Sequence, residues 1–221
     1  MIGKLLVKLN DLRNIKRNQN LTKLAENSVL EHEARVAKYA VILSRWEKNK
    51  FGNEVNLEEV LLRALHHDDL EAFTGDILSH TKRTTPELKK AINDMEQIRF
   101  DLEFKPLLPK SFREDYERYV LNAKDETIEG KIIEASDIID TIYECAEEIK
   151  LGNRRFERIL IEVTESLMEV DLESVRYFMK YPLSDIGLDV TRYFGINVAR
   201  FIESIEFDEN VFSNPYLKED K

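Results

Sequence analysis

Cysteine, proline, glycine and tryptophan are all scarce in this chain of 221 residues, which has one Cys, five Pro, seven Gly and one Trp. A lone cysteine, Cys145, excludes an intrachain disulfide framework. Its apolar and acidic surroundings read as a core position in a reducing compartment. So few turn formers, with Leu, Ile, Glu, Lys and Ala abundant, argue against a turn-rich β fold and for an all-α class. The chain also lacks any run of 18 apolar residues, and its N-terminus lacks the apolar segment and cleavage site of a secretory signal. The expectation is a cytoplasmic protein without a membrane span. Basic residues are outnumbered, 33 Lys and Arg against 43 Asp and Glu, for a net charge of −10. That balance excludes general binding to a nucleic-acid polymer, which needs clustered cations, but is compatible with a local cationic pocket for one phosphate.

A hydrophobic content of 43% in this length supports one sizeable core. The reading is a single compact domain over residues 1–221, with a core at roughly 17–205 and a short tail at 206–221. No internal repeat, low-complexity segment or alternating strand pattern interrupts it. Several helix starts are explicit. Ser28 with Glu31 is a capping box ahead of the apolar series Val36, Ala37, Ala40, Val41 and Leu43, and this helix is expected to run to Phe51-Gly52. Asn56 with Glu59 opens a second helix, expected to carry His67-Asp68 and to end near Phe73-Thr74-Gly75. A loop is expected from Gly75 to Thr85, with Pro86 at a first helical position. Pro106 and Pro109 bracket a break before another candidate capping box, Ser111 with Glu114. A long helix then runs from about Glu126 to Leu151, closed by Gly152, followed by helices at about Arg154–Val170 and Leu172–Lys180 and one or two more between Ser184 and Ile205.

Chemistry concentrates around Ala64-Leu65-His66-His67-Asp68-Asp69-Leu70-Glu71. On a continuous helix, residues three and four apart are neighbours, so Glu71 would stand beside His67 and Asp68 while Asp69 points elsewhere. His67 and Asp68 can then bind a metal, with Glu71 one turn along and near enough to act on a water or a leaving group. Asp137, among Ile133, Ala135, Ile138 and Ile139, is a costly carboxylate unless it is paired or ligated, and His32 poses the same question near the start of its helix. A lone His or Asp of this kind is more often a hydrogen-bonded core residue. Four of them on three helices weaken that reading.

The order His32, His67-Asp68, Asp137 resembles the H…HD…D signature of the HD-domain metal-dependent phosphohydrolases. More narrowly, Glu31-His32, His67-Asp68-x-x-Glu71, Thr74-Gly75-Asp76 and Glu134-Ala135-Ser136-Asp137 resemble the bacterial YfbR-like 5′-nucleotidase branch, over roughly Arg17 to Ile205. The resemblance implies an all-α HD-domain fold and a hydrolase that releases phosphate from (deoxy)nucleoside 5′-monophosphates, commonly as a homodimer. It implies one divalent transition metal held by His32, His67, Asp68 and Asp137, with Glu71 as catalytic acid/base and Arg17 as a substrate contact. The donor set accepts Mn, Co, Fe, Ni or Zn. Lys82 is a further candidate for balancing phosphate charge, and Asp76 a candidate either for orienting substrate or for holding its loop.

Two features depart from that branch. Its tryptophan after the arginine falls on Asn18, and its proline-rich run after Thr-Gly-Asp is replaced by Ile77-Leu78-Ser79-His80-Thr81-Lys82. Both lie where sugar and base would be selected, so catalytic chemistry transfers better than substrate preference. His66 projects about 100° from His67 and reads as packing or hydrogen-bonding beside the site. His80 is open between substrate, a second metal and solvent. Trp46 reads as core, and Glu147-Glu148 as facing water. Two other readings remain at this point: an HD hydrolase of another phosphoester, such as an alarmone or a phosphodiester, and a metal-binding regulatory protein with little turnover.

Overall fold

In a computed structural model, residues 2–19, 21–77 and 85–207 are described, and among them every regular element is helical. The only strand-like pairing among them is an isolated antiparallel bridge between Lys16 and Ser28. No described helix is long and apolar enough to cross a membrane. The chain divides into two compact units, Met1–Ala37 with Leu61–Ala123, and Lys38–Val60 with Lys124–Lys221.

The first unit opens with α1 (Ile2–Leu9), an element absent from the sequence reading, and a 3-10 turn at Asn10–Asn14. It then takes the start of α2 (Val29–Asn49) and most of α3 (Leu57–His66). The short α4 (Glu71–Thr74), α5 (Pro86–Arg99) and α6 (Arg113–Leu121) follow. Leu5, Leu70, Phe100, Phe104, Leu108 and Val120 form its main core, and Leu12, Val29 and Ala72 form a smaller one. A π-helical segment, Phe100–Phe104, extends α5 and stacks its two phenylalanines 5.5 Å apart inside that core.

The second unit is built on α7 (Ile128–Lys150) packed along α8 (Phe156–Met168), with α9 (Glu173–Lys180), α10 (Val190–Tyr193) and α11 (Ile196–Ser204) after them. Ile132, Ile133, Ile139 and Ile142 make the buried stripe of α7, and Cys145 is buried beside them. Buried Glu47 of α2 accepts the Ser174 N–H at 2.7 Å and the Asn53 amide at 2.6 Å, so a carboxylate caps the N-terminus of α9.

Local signals predicted most boundaries. The Ser28–Glu31 box closes in both directions, with the Ser28 N–H donating to Glu31 at 2.8 Å and the Glu31 N–H to the Ser28 hydroxyl at 3.2 Å. Asn56 accepts the Glu59 N–H at 3.2 Å, and Thr85 accepts the Leu88 N–H at 3.2 Å ahead of Pro86. Three expectations need correction. The helix bearing the His-Asp pair ends at His66, because the next residues tighten into i→i−3 bonds, Asp69 N–H to His66 O and Glu71 N–H to Asp68 O. The Ser111–Glu114 box does not form; a 3-10 turn after Pro109 leads into α6, whose N-cap is Phe112. Glu148 is fully buried, not solvated, and accepts the Asn153 amide at 2.7 Å.

Candidate metal centre

The capping box at Ser28 fixes the first turn of α2 and sets His32 in the following position, fully buried. The hydrogen bonds from Ser28 hold the Glu31 carboxyl below its ordinary pKa. Glu31 is therefore a helix-capping group, and His32 is the ligand candidate. Just before α2, residues 15–17 run antiparallel to 27–29, with Arg17 N–H donating to Asn27 O and Val29 N–H to Ile15 O, both at 2.9 Å. This pairing brings the largely buried Arg17 alongside the first turn of α2.

His67, Asp68, Asp69 and Leu70 form the tight turn between α3 and α4. Its consequence is convergence: His32 Nε2 lies 3.4 Å and His67 Nε2 3.3 Å from the same oxygen, Asp68 Oδ2, and Arg17 Nη1 lies 3.6 Å from it. Ligand atoms of the two histidines and Asp68 all lie within 4.8 Å of one another. Donors bound about 2.1 Å from one ion sit about 3.0 Å apart at right angles and about 3.4 Å apart in a tetrahedron. The two histidine–carboxylate separations thus fit a first-row divalent cation. The His67 Nδ1 edge rests on Ala64 O at 3.0 Å, which directs Nε2 toward the cluster.

Glu71 opens α4 and is buried, one short turn after Asp68. Asp76 is also largely buried, and its Oδ2 accepts the Asn18 N–H at 2.5 Å, while Gln19 donates to the Asp76 carbonyl at 3.5 Å. Asn18 is the one non-glycine residue with positive φ among those described, at 55°. Asp76 therefore stabilises a left-handed turn immediately after Arg17.

His66 stands beside the cluster. Its Nδ1 is 2.6 Å from Asp69 Oδ2, and its ring packs 4.8 Å from that of Tyr116. Burial pushes the Asp69 carboxyl above its ordinary pKa, opposed by His66. Glu33, next to His32, did not emerge from the sequence reading. It is 2% exposed, and burial, followed by the charges of Asp69 and Asp68, pushes its carboxyl up to about 10. The available signal was a second acidic residue flanking His32 in Glu31-His32-Glu33, but the capping box accounts for only one of the two.

Asp137 belongs to the second unit. Its carboxylate ion-pairs with Lys124 Nζ at 2.5 Å, which meets the requirement that such a carboxylate be paired or ligated. Lys82 and His80 lie outside the described residues.

The profile of the "5′-deoxynucleotidase YfbR-like" family matches residues 4–186. The chain belongs to the YfbR-like family. An HD-domain phosphohydrolase from Listeria innocua has the same fold, with a TM-score of 0.80 and 32% identity over 92% of this chain and 98% of that one. A 5′-deoxynucleotidase of Vibrio vulnificus is 29% identical over 168 residues, 75% of this chain and 86% of the relative. Another, from Photorhabdus laumondii, is 28% identical over 189 residues, 82% of this chain and 95% of the relative. The all-α HD-domain architecture expected from the motifs is thus borne out.

Proposed function

We propose that this YfbR-like chain is a metal-dependent 5′-nucleotidase that releases phosphate from nucleoside 5′-monophosphates, deoxynucleotides foremost. The observation that carries this reading is the meeting of His32 Nε2 and His67 Nε2 at one Asp68 oxygen, in a chain whose relatives are named 5′-deoxynucleotidases. His32, His67 and Asp68 would hold one divalent cation. Asp137 joins them as fourth ligand on the order of the motifs in the sequence.

When bound, the cation supplies a lowered water pKa and charge neutralisation on the phosphate. Every remaining step belongs to side chains. Arg17 offers a planar guanidinium that matches two phosphate oxygens, and its present partner Asp68 is an acid that a cation would occupy. Asp76 holds the backbone after Arg17 and so its approach to the phosphate. Glu71, buried and one turn from Asp68, takes the proton from the attacking water or gives it to the departing 5′ oxygen. Lys82 is retained as a second phosphate contact. The same reading places the enzyme in the cytoplasm, with nucleotides as its small-molecule partners, as a homodimer.

Phosphate release from a panel of ribo- and deoxyribonucleoside 5′-monophosphates, with each candidate metal added to chelator-stripped protein, tests the reading. Release from 5′-monophosphates supports it. Turnover confined to an alarmone or a phosphodiester would keep the metal chemistry and overturn the substrate. No turnover with any metal would leave a binding protein.

A further inference from the structure

We propose that His66 and Asp69 are positioning residues, whose side-chain bridge holds the tight turn that presents His67 and Asp68 and so sets the affinity of the site for its cation. The proposal rests on the metal reading above and adds two residues to which that reading gives no part. His66 Nδ1 lies 2.6 Å from Asp69 Oδ2, and the Asp69 N–H donates to the His66 carbonyl at 3.2 Å. The same two residues are thus joined twice, and the segment they enclose contains only His67 and Asp68.

The bridge favours this turn over a longer helix. In an α-helix residues i and i+3 are offset around the axis, whereas at about three residues per turn they eclipse, which gives a direct side-chain bridge its shortest path. The backbone bond alone is a weak determinant, since i→i−3 bonds have poorer geometry than α-helical ones and the apolar rhythm from Leu61 to Phe73 suits a continuous helix. An aspartate bonded locally competes with that helix.

Both ends of the turn are anchored within the first unit. The His66 ring packs 4.8 Å from Tyr116 and 6.4 Å from Tyr119, both on α6. Leu70, next after Asp69, lies in the core with Phe100 and Phe104, against which Tyr116 also packs. Asp69 is buried, and its carbonyl accepts the Ala72 N–H at 3.2 Å, so the residue that closes the turn also leads into α4, where Glu71 stands. A loose segment would have to order His67 and Asp68 as the cation bound. A turn already closed loses that entropy on folding, and binding is tighter by the difference.

Calorimetric titration of Co²⁺ into chelator-stripped full-length protein, with the Tm of the stripped protein measured beside it, tests the proposal. His66→Phe combined with Asp69→Leu replaces both partners by apolar groups of similar shape, which leaves no carboxylate unpaired in the bridge and keeps a ring against Tyr116. This double variant is expected to melt within about 4 °C of wild type while its Co²⁺ dissociation constant rises about 10- to 100-fold. A pair that served stability alone would show the reverse, a lower Tm with affinity kept. Should the double variant not fold, Asp69→Asn and Asp69→Ala read the same difference. Asparagine still accepts from the His66 ring, and the His66 side chain, 21% exposed, reaches water when alanine removes its partner. The asparagine variant is expected to bind Co²⁺ about tenfold more tightly than the alanine variant. A folded double variant that binds Co²⁺ as wild type does, or an asparagine variant no tighter than the alanine one, would overturn the proposal and leave the metal reading standing. Wild type that takes up no Co²⁺ would overturn both.

Discussion

The link from Asp76 through Asn18 to Arg17 makes a prediction that can be worked from the structure. Asn18 sits at φ 55°, a region open to Gly and cheap for Asn but costly for a β-branched residue. Asn18→Val either strains the turn by about 1–2 kcal/mol or abandons the left-handed conformation. Abandoning it gives up the hydrogen bond from the Asn18 N–H to the Asp76 carboxylate, a charged acceptor worth about 1.5–3 kcal/mol. Either route loosens the backbone that carries Arg17. If half to all of that hydrogen-bond energy is lost from phosphate positioning, kcat/KM falls roughly 3- to 140-fold, at about 1.4 kcal/mol per tenfold. Asn18→Gly is the control, because it keeps the conformation at no steric cost and should stay within about twofold of wild type. Steady-state phosphate release on one 5′-monophosphate, at saturating metal, reads both variants. Equal activity of the valine and glycine variants would refute the idea that the turn positions Arg17.

Four further outcomes follow from the same geometry. Metal added to chelator-stripped wild type should raise Tm, by about 2.7 kcal/mol of stabilisation at a hundredfold excess over Kd, and His67→Ala should lose most of that shift in differential scanning fluorimetry. Glu71→Gln should reduce kcat by about 10²- to 10⁴-fold while calorimetry finds metal binding intact, since Glu71 is assigned to the proton and not to the cation. Removing the buried Glu47 carboxylate by Glu47→Ala should cost about 3 kcal/mol in urea denaturation, because the N–H of Ser174 and the amide of Asn53 lose a charged acceptor. Gly130→Ala should destabilise α7, since its Cβ would run into the Asp125 backbone; an unchanged urea midpoint would count against that packing.

What was legible in the sequence was local. Ser28 with Glu31, Asn56 with Glu59 and Thr85 with Pro86 encode their helix starts within four residues, and each forms as read. The ligand candidates were legible because His32, His67-Asp68 and Asp137 fall in the H…HD…D order, and because His32 is a costly polar residue near the start of its helix. The break after His66 was hidden because Leu61, Ala64, Leu65, Ala72 and Phe73 keep a helical rhythm across it, and only the structure shows the backbone tightening to turn His67 and Asp68 toward His32. Glu148 looked solvated beside Glu147, but its partner Asn153 lies beyond the turn at Gly152. Glu33 was missed because its burial is tertiary, and the carboxylates that add to its upward pKa shift, Asp69 and Asp68, come from a segment more than thirty residues away.

The central claim is one catalytic cation held by His32, His67 and Asp68. Titrating metal into chelator-stripped protein while following both binding and phosphate release from a nucleoside 5′-monophosphate tests it most directly. The account predicts saturation at one ion per chain, with activity rising in step, and loss of both in His32→Ala. Phosphate release by the stripped protein, or a His32→Ala variant that still saturates and turns over like wild type, would contradict it.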